Sequence, residues 1–217
     1  MVRAGAEAEA DMGLAIGVGV LADLLHNDAE GAGFLRKRIE KLNTLLVAKG
    51  LKPHEEPEKL PYFVTRSVRS FPYGFLHYLR RAYACAIEDV PLRQGEMTKA
   101  DQDFIMEATL NVMDSHLLSH SDCEGFYIPQ AFTDPLCDNT LPGGFAGSCQ
   151  QLIKELVRVA PLLKIRCDGE TLPKSEAEKL ASVEDNGEPL WREKMVWFSL
   201  FEAAKFSIAR NTLLVFH

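Results

Sequence analysis

Residues 116–130 read His-Leu-Leu-Ser-His-Ser-Asp-Cys-Glu-Gly-Phe-Tyr-Ile-Pro-Gln, and the first nine carry two imidazoles, two carboxylates and a thiol. Two kinds of catalysis could use that set. His116 and His120 are four apart and share a face if a helix runs through them. With Asp122 and Cys123 next in line, His116, His120 and Asp122 are candidate ligands for a divalent metal, the one cofactor this composition suggests. No H-E-x-x-H and no paired C-x-x-C accompanies them. A helix that simply ends here accounts for the same residues, with histidine favouring the C-terminal dipole and Asp-Cys-Glu-Gly turning the chain. Alternatively Cys123 is a nucleophile, His120 or His116 its base and Asp122 the orienting carboxylate. His120, Asp122 and Cys123 are then the candidate catalytic residues of a small metal-assisted or thiol-dependent hydrolase. The plain counterpart is a half-buried structural thiol.

A third use is electrostatic. Between Leu60 and Ile87 there is no acidic residue, while Arg66, Arg69, Arg80 and Arg81 alternate with tyrosines and phenylalanines. Their guanidinium groups could take Asp114, Asp122 and Glu124 in bidentate hydrogen bonds and pin the 119–130 loop. The same residues would otherwise form an Arg-aromatic pocket for an anion, with His77, Arg80, Arg81, Glu124 and Tyr127 as candidate ligand-binding residues. The glycine-rich run 141–148, Leu-Pro-Gly-Gly-Phe-Ala-Gly-Ser, could add backbone N–H groups to such a pocket. It has no lysine and no phosphate-loop spacing, and a turn with a capping serine explains it equally well.

The elements that must position these residues are legible in outline. Leu14, Ile16, Val18 and Val20 alternate with Ala15, Gly17 and Gly19, which predicts a strand with one nearly bare face. Asn27 or Asp28 caps a helix to about Lys49, stopped by Gly50. Prolines 53, 57 and 61 mark a loop, and Tyr62–Val64 suggests a short extended piece. Helices are expected at about 73–87 and at about 98–118, the latter opened by a Thr98–Asp101 capping box. A short strand is expected at 126–128, a helix from Ser148 to about Ala160 and a short one from Ser175. Apolar residues cover most of the circumference of 190–210, which predicts a central buried helix. Thr212–Phe216 is a closing strand that could pair with the first.

The fold class expected is therefore α+β: a helix-rich single domain, residues 12–217, with a small sheet of short strands that includes the N- and C-terminal ones, and with residues 1–11 as a disordered tail. At 217 residues and 47% hydrophobic content the chain is long enough for a substantial core. Net charge is −7, a field that disfavours binding to nucleic acid or to anionic membranes. Five scattered cysteines without C-x-x-C, an acidic N-terminus unlike a secretory signal, and an apolar run at 12–25 too short to span a bilayer suggest a soluble cytoplasmic protein.

From Met12 to the C-terminus the chain resembles a family of uncharacterised, mostly bacterial proteins. The likeness lies in Met-Gly-Leu-Ala-Ile-Gly-Val-Gly at 12–19, Leu-His-Tyr-Leu-Arg-Arg at 76–81, His-Ser-Asp-Cys-Glu-Gly-Phe-Tyr-Ile-Pro at 120–129, Leu-Pro-Gly-Gly at 141–144 and Leu-Trp-Arg-Glu at 190–193. That family carries no established activity, so the resemblance implies a single domain and transfers no mechanism. Taken together, these features lead to a ligand-binding or protein-interaction domain, monomeric or homodimeric. Its partner would be an unknown small anionic ligand or a protein, with nucleic acid disfavoured and no membrane.

Overall fold

A computed structural model describes residues 13–60, 68–185 and 187–217. The expected tail at 1–11 and the extended piece at Tyr62–Val64 lie outside the described residues.

The chain is α+β, with seven α-helices around one mixed sheet among the described residues. Strand β1 (Gly13–Val18) leads into helices α1 (Val20–Asn27) and α2 (Ala29–Ala48); β2 (Val68–Pro72), α3 (Gly74–Glu88) and α4 (Lys99–Asn111) follow. The second half holds β3 (Gly125–Ile128), β4 (Leu136–Cys137), β5 (Phe145–Ser148), α5 (Cys149–Val159), α6 (Lys174–Ala181), α7 (Trp191–Arg210) and β6 (Leu214–Phe216). The six strands lie in the order β2-β1-β6-β3-β5-β4. Only β3 and β5 run parallel; every other neighbouring pair is antiparallel. The first and last strands pair as the sequence suggested, Gly17 opposite Val215.

Period-two alternation divides the core between the two faces of this sheet. Tyr127, Leu214 and Phe216 point to one face and pack with Leu79, Leu156, Trp197 and Leu200 from α3, α5 and α7. Phe126, Ile128, Leu213 and Val215 point to the other and pack on Leu35, Leu42 and Leu46 of α2. Helix α7 is largely buried, and its Trp197 spends its one polar atom on the Leu156 carbonyl at 2.7 Å.

Local signals explain three of the helix starts. Asp28 caps α2 by accepting from Glu30 and Gly31 N–H at 3.1 and 3.0 Å. Thr98 and Asp101 form both halves of the capping box that opens α4. Ser148 accepts from Gln151 N–H to open α5. Two differences matter for the site. Helix α4 stops at Asn111 rather than near Leu118, so His116 and His120 do not share a helix face. The 141–148 run contains a strand, β5, which extends the sheet rather than only a turn. Helix α1, inserted between β1 and the Asp28 cap, was also not foreseen.

Candidate functional site

The 112–124 segment is held by side chains from three helices. Glu155 of α5 is buried, and its carboxylate accepts from the backbone N–H of His116 at 2.8 Å and of Leu117 at 2.7 Å. Those two amides lie beyond the end of α4 at Asn111, and a distant carboxylate holds them there. From α3, Arg80 donates to the Leu117 carbonyl at 3.0 Å, to the His120 carbonyl and to Asp122. His77 reaches the other Asp122 oxygen at 3.2 Å. From α2, Arg38 reaches Glu124 at 3.2 Å.

Both histidines are absorbed by the fold. His116 Nδ1 accepts from Ser148 N–H at 2.9 Å, which leaves Nε2 protonated and donating to the Thr133 carbonyl at 2.9 Å. His120 is stacked on Tyr127, rings 4.3 Å apart, with Nδ1 2.9 Å from the Ser121 carbonyl and Nε2 3.3 Å from that of Phe126. Two carbonyls favour the doubly protonated ring, but burial, reinforced by the Arg80 charge, outweighs them and holds its pKa down at about 4. Burial likewise lowers His116. Burial also works against the Asp122 carboxylate, yet the His77 hydrogen bond and the Arg80 charge prevail and bring it down to about 2. Burial pushes Glu155 up to about 7, against the pull of its two amide donors.

Of the residues singled out in the sequence, Arg80, His77 and Asp122 are brought together. Arg81 is not among them. It turns the other way, buried against Glu193 at 3.1 Å, Asp101 at 3.6 Å and the Gly95 carbonyl. Glu124 is met by Arg38 rather than by Arg80 or Arg81, and Asp114 meets no arginine among the described residues. Tyr127 is buried and donates to the His116 carbonyl at 2.8 Å. Cys123 is exposed, and no imidazole nitrogen is directed at it. The nucleophile, base and orienting carboxylate of a thiol enzyme are thus not assembled. Among the described residues no three His, Cys, Asp or Glu side chains are placed to hold a metal ion, His116, His120 and Asp122 included. The glycine run packs rather than binds: Gly143 has φ +62°, and a Cβ there would lie 2.4 Å from the Glu124 carbonyl oxygen.

The stretch from Glu96 to Ser148 contains nine carboxylates and one lysine, Lys99, while elsewhere acidic and basic residues nearly balance. The chain's net negative charge therefore resides in this stretch. Four of the nine (Asp103, Glu107, Asp114 and Asp134) are exposed and have no cationic partner among the described residues. A running charge count along the chain would have revealed this concentration; attention to His, Cys and Arg passed over it.

Such a chain is a small α+β protein whose polar loop is internally satisfied and whose net negative charge is concentrated in one stretch. It belongs to the family described as Putative DNA-mimic protein, whose model matches residues 12–216. No curated protein and no solved structure matches. This membership corrects the partner expectation drawn from the sequence, a small anionic ligand or a protein with nucleic acid set aside. A negative field does repel a polyanion, but it is also the field that an imitation of one requires. The sign of the charge therefore does not separate the chain from DNA-related partners. No helix among the described residues is long and apolar enough to cross a membrane.

Proposed function

We propose that this protein is an interaction module that offers carboxylates where DNA offers phosphates, and so occupies the DNA-binding surface of a protein partner. The observation that carries the reading is the concentration of the net negative charge in Glu96–Ser148, with Asp103, Glu107, Asp114 and Asp134 exposed and unpaired among the described residues. A DNA-binding protein gathers Lys and Arg to neutralise phosphates. Carboxylates already paired within the fold could not serve it; free ones can. The family's description agrees. On this reading residues 12–217 act as one domain in the cytoplasm, where thiols stay reduced. His77, Arg80, Asp122, Glu124 and Tyr127 hold the 116–130 segment as a rigid frame, with no chemistry of their own.

The test is competition. DNA-binding proteins retained on immobilised duplex DNA should be released by the purified chain at constant ionic strength, and not by a neutral protein at the same concentration. Release should weaken steeply as salt rises, because the contacts are between charges at a wet surface. If no DNA-bound protein is released at low salt, the reading is wrong.

A further inference from the structure

The competing surface can be located. We propose that the solvent-facing side of α4 (Asp103, Met106, Glu107 and Leu110), continued by Met113 and Asp114, docks the DNA-contacting face of a basic protein. The proposal rests on the mimicry reading above and specifies where it acts.

Helix α4 has two unlike sides. Asp101, Ile105 and Ala108 are buried. At 100° per residue Asp103, Met106, Glu107 and Leu110 fall on the opposite side, at the i, i+3, i+4, i+7 spacing that normally faces a core. Here that stripe faces water: Met106 is 63% exposed, Leu110 71% and Met113 81%. The other large hydrophobics left exposed among the described residues are Phe34, Val47 and Val90. An apolar stripe with nothing on it marks a contact surface.

Charge chooses the occupant. Phe34, the one aromatic of that set, lies under Arg38 at 4.4 Å, with Lys37 and Lys41 one and two turns along the helix and Glu30 one turn before, so the charges beside it are mixed. The α4 stripe is bordered by Asp103, Glu107 and Asp114, all exposed and without a cationic partner among the described residues. Lys99 stands one turn before Asp103 at the N-terminal end. Lys154 and Arg158 line the cavity that Asp114 shares with His116 and mark the limit of the surface on that side. The complement of an apolar stripe edged with carboxylates is a basic surface with an apolar centre.

Magnitudes show why charge alone is not enough. Asp103 and Glu107 are separated by about 6 Å along the helix axis, whereas duplex DNA carries one charge per roughly 1.7 Å of axis. The helix is a sparse polyanion. Met106, Leu110 and Met113 supply the apolar contact that the missing charges do not, and the flexible thioethers adapt to the partner's relief.

The experiment uses the full chain and duplex DNA immobilised with its bound proteins as the probe. Asp103→Lys with Glu107→Lys, and separately Leu110→Arg, should each cut release of DNA-bound protein at least tenfold, while Lys99→Glu should raise it. Glu30→Lys with Glu40→Lys on α2 should leave it unchanged. The α4 positions are exposed, so the thermal transition should not move. A photo-crosslinker at position 110 should join the partner within its DNA-contacting residues. If wild type releases protein but the α4 variants release it equally, the surface assignment is overturned and the mimicry reading stands. If wild type releases none, both fall. If the chain self-associates and Leu110→Arg abolishes this, the stripe's occupant is a second copy and the docking proposal is overturned.

Discussion

The Glu155 carboxylate and the backbone amide of His116 meet at 2.8 Å inside the protein, 39 residues apart in sequence. With Leu117 N–H on its second oxygen, Glu155 fixes the course of the chain beyond the end of α4. Removing the carboxylate leaves two buried amides unsatisfied, at about 1–3 kcal/mol each. Glu155→Ala should therefore lose about 2–5 kcal/mol in urea denaturation. Glu155→Gln keeps one acceptor and should lose about half as much. Equal losses for the two variants would show that packing, not hydrogen bonding, is what Glu155 supplies.

The same residue gives stability a pH dependence of definite sign. Folding raises Glu155 from 4.5 to about 7, so between those values the folded chain holds a proton that the unfolded chain has released. Its contribution is complete below 4.5 and is lost as pH rises through 7. His120 acts oppositely. Folding lowers it from 6.5 to about 4, so its contribution is complete above 6.5 and is lost as pH falls through 4. Comparing wild type with Glu155→Gln isolates the first effect. The wild type's advantage should be larger at about pH 5 than at about pH 8, measured by chemical denaturation. An advantage that grows with pH would reverse the assignment.

Much of the frame was legible because its signals are local. The Asp28 cap, the Thr98–Asp101 box, the Ser148 cap and the all-round apolarity of α7 each act within a turn or two of themselves. The end of α4 was not legible, since no glycine or proline near residue 112 announces it, and the Glu155 that holds the segment beyond it is far along the chain. Strand β5 was hidden because Phe-Ala-Gly-Ser is short and its partners, β3 in parallel and β4 antiparallel, come from other segments of the chain. At the site, Arg80 with Asp122 followed from opposite charges. Arg81 with Glu193, and Arg38 with Glu124, required the tertiary arrangement of α2, α3 and α7.

Cysteine accessibility tests the placement of the thiols. Cys123 and Cys137 are exposed, whereas Cys85 and Cys149 are buried. Burial pushes Cys149 up to about 12, and its sulfur lies 3.1 Å from the Ser207 hydroxyl. A thiol-specific reagent at neutral pH should modify Cys123 and Cys137 in the native protein and reach Cys149 only on unfolding. Peptide mapping after a short pulse decides it. Early modification of Cys149 would contradict the packing of α5 on α7.

Arg80 is the most connected side chain of the 116–124 segment. It is 6% exposed and satisfies two carbonyls and one carboxylate from a single planar fork. A lysine ammonium cannot reproduce that geometry. Arg80→Lys should cost about 2–4 kcal/mol and Arg80→Met about 3–5 kcal/mol, since the latter strands Asp122 with His77 alone. Asp122→Asn should cost less, because it removes one acceptor from an arginine that keeps two carbonyls. The loss should be local before it is global, with amides of 117–124 exchanging faster than those of α7 in hydrogen-exchange measurements. Arg80→Lys at wild-type stability would mean that the segment is held by Glu155 and by the fit of Gly143 against Glu124, with the guanidinium redundant.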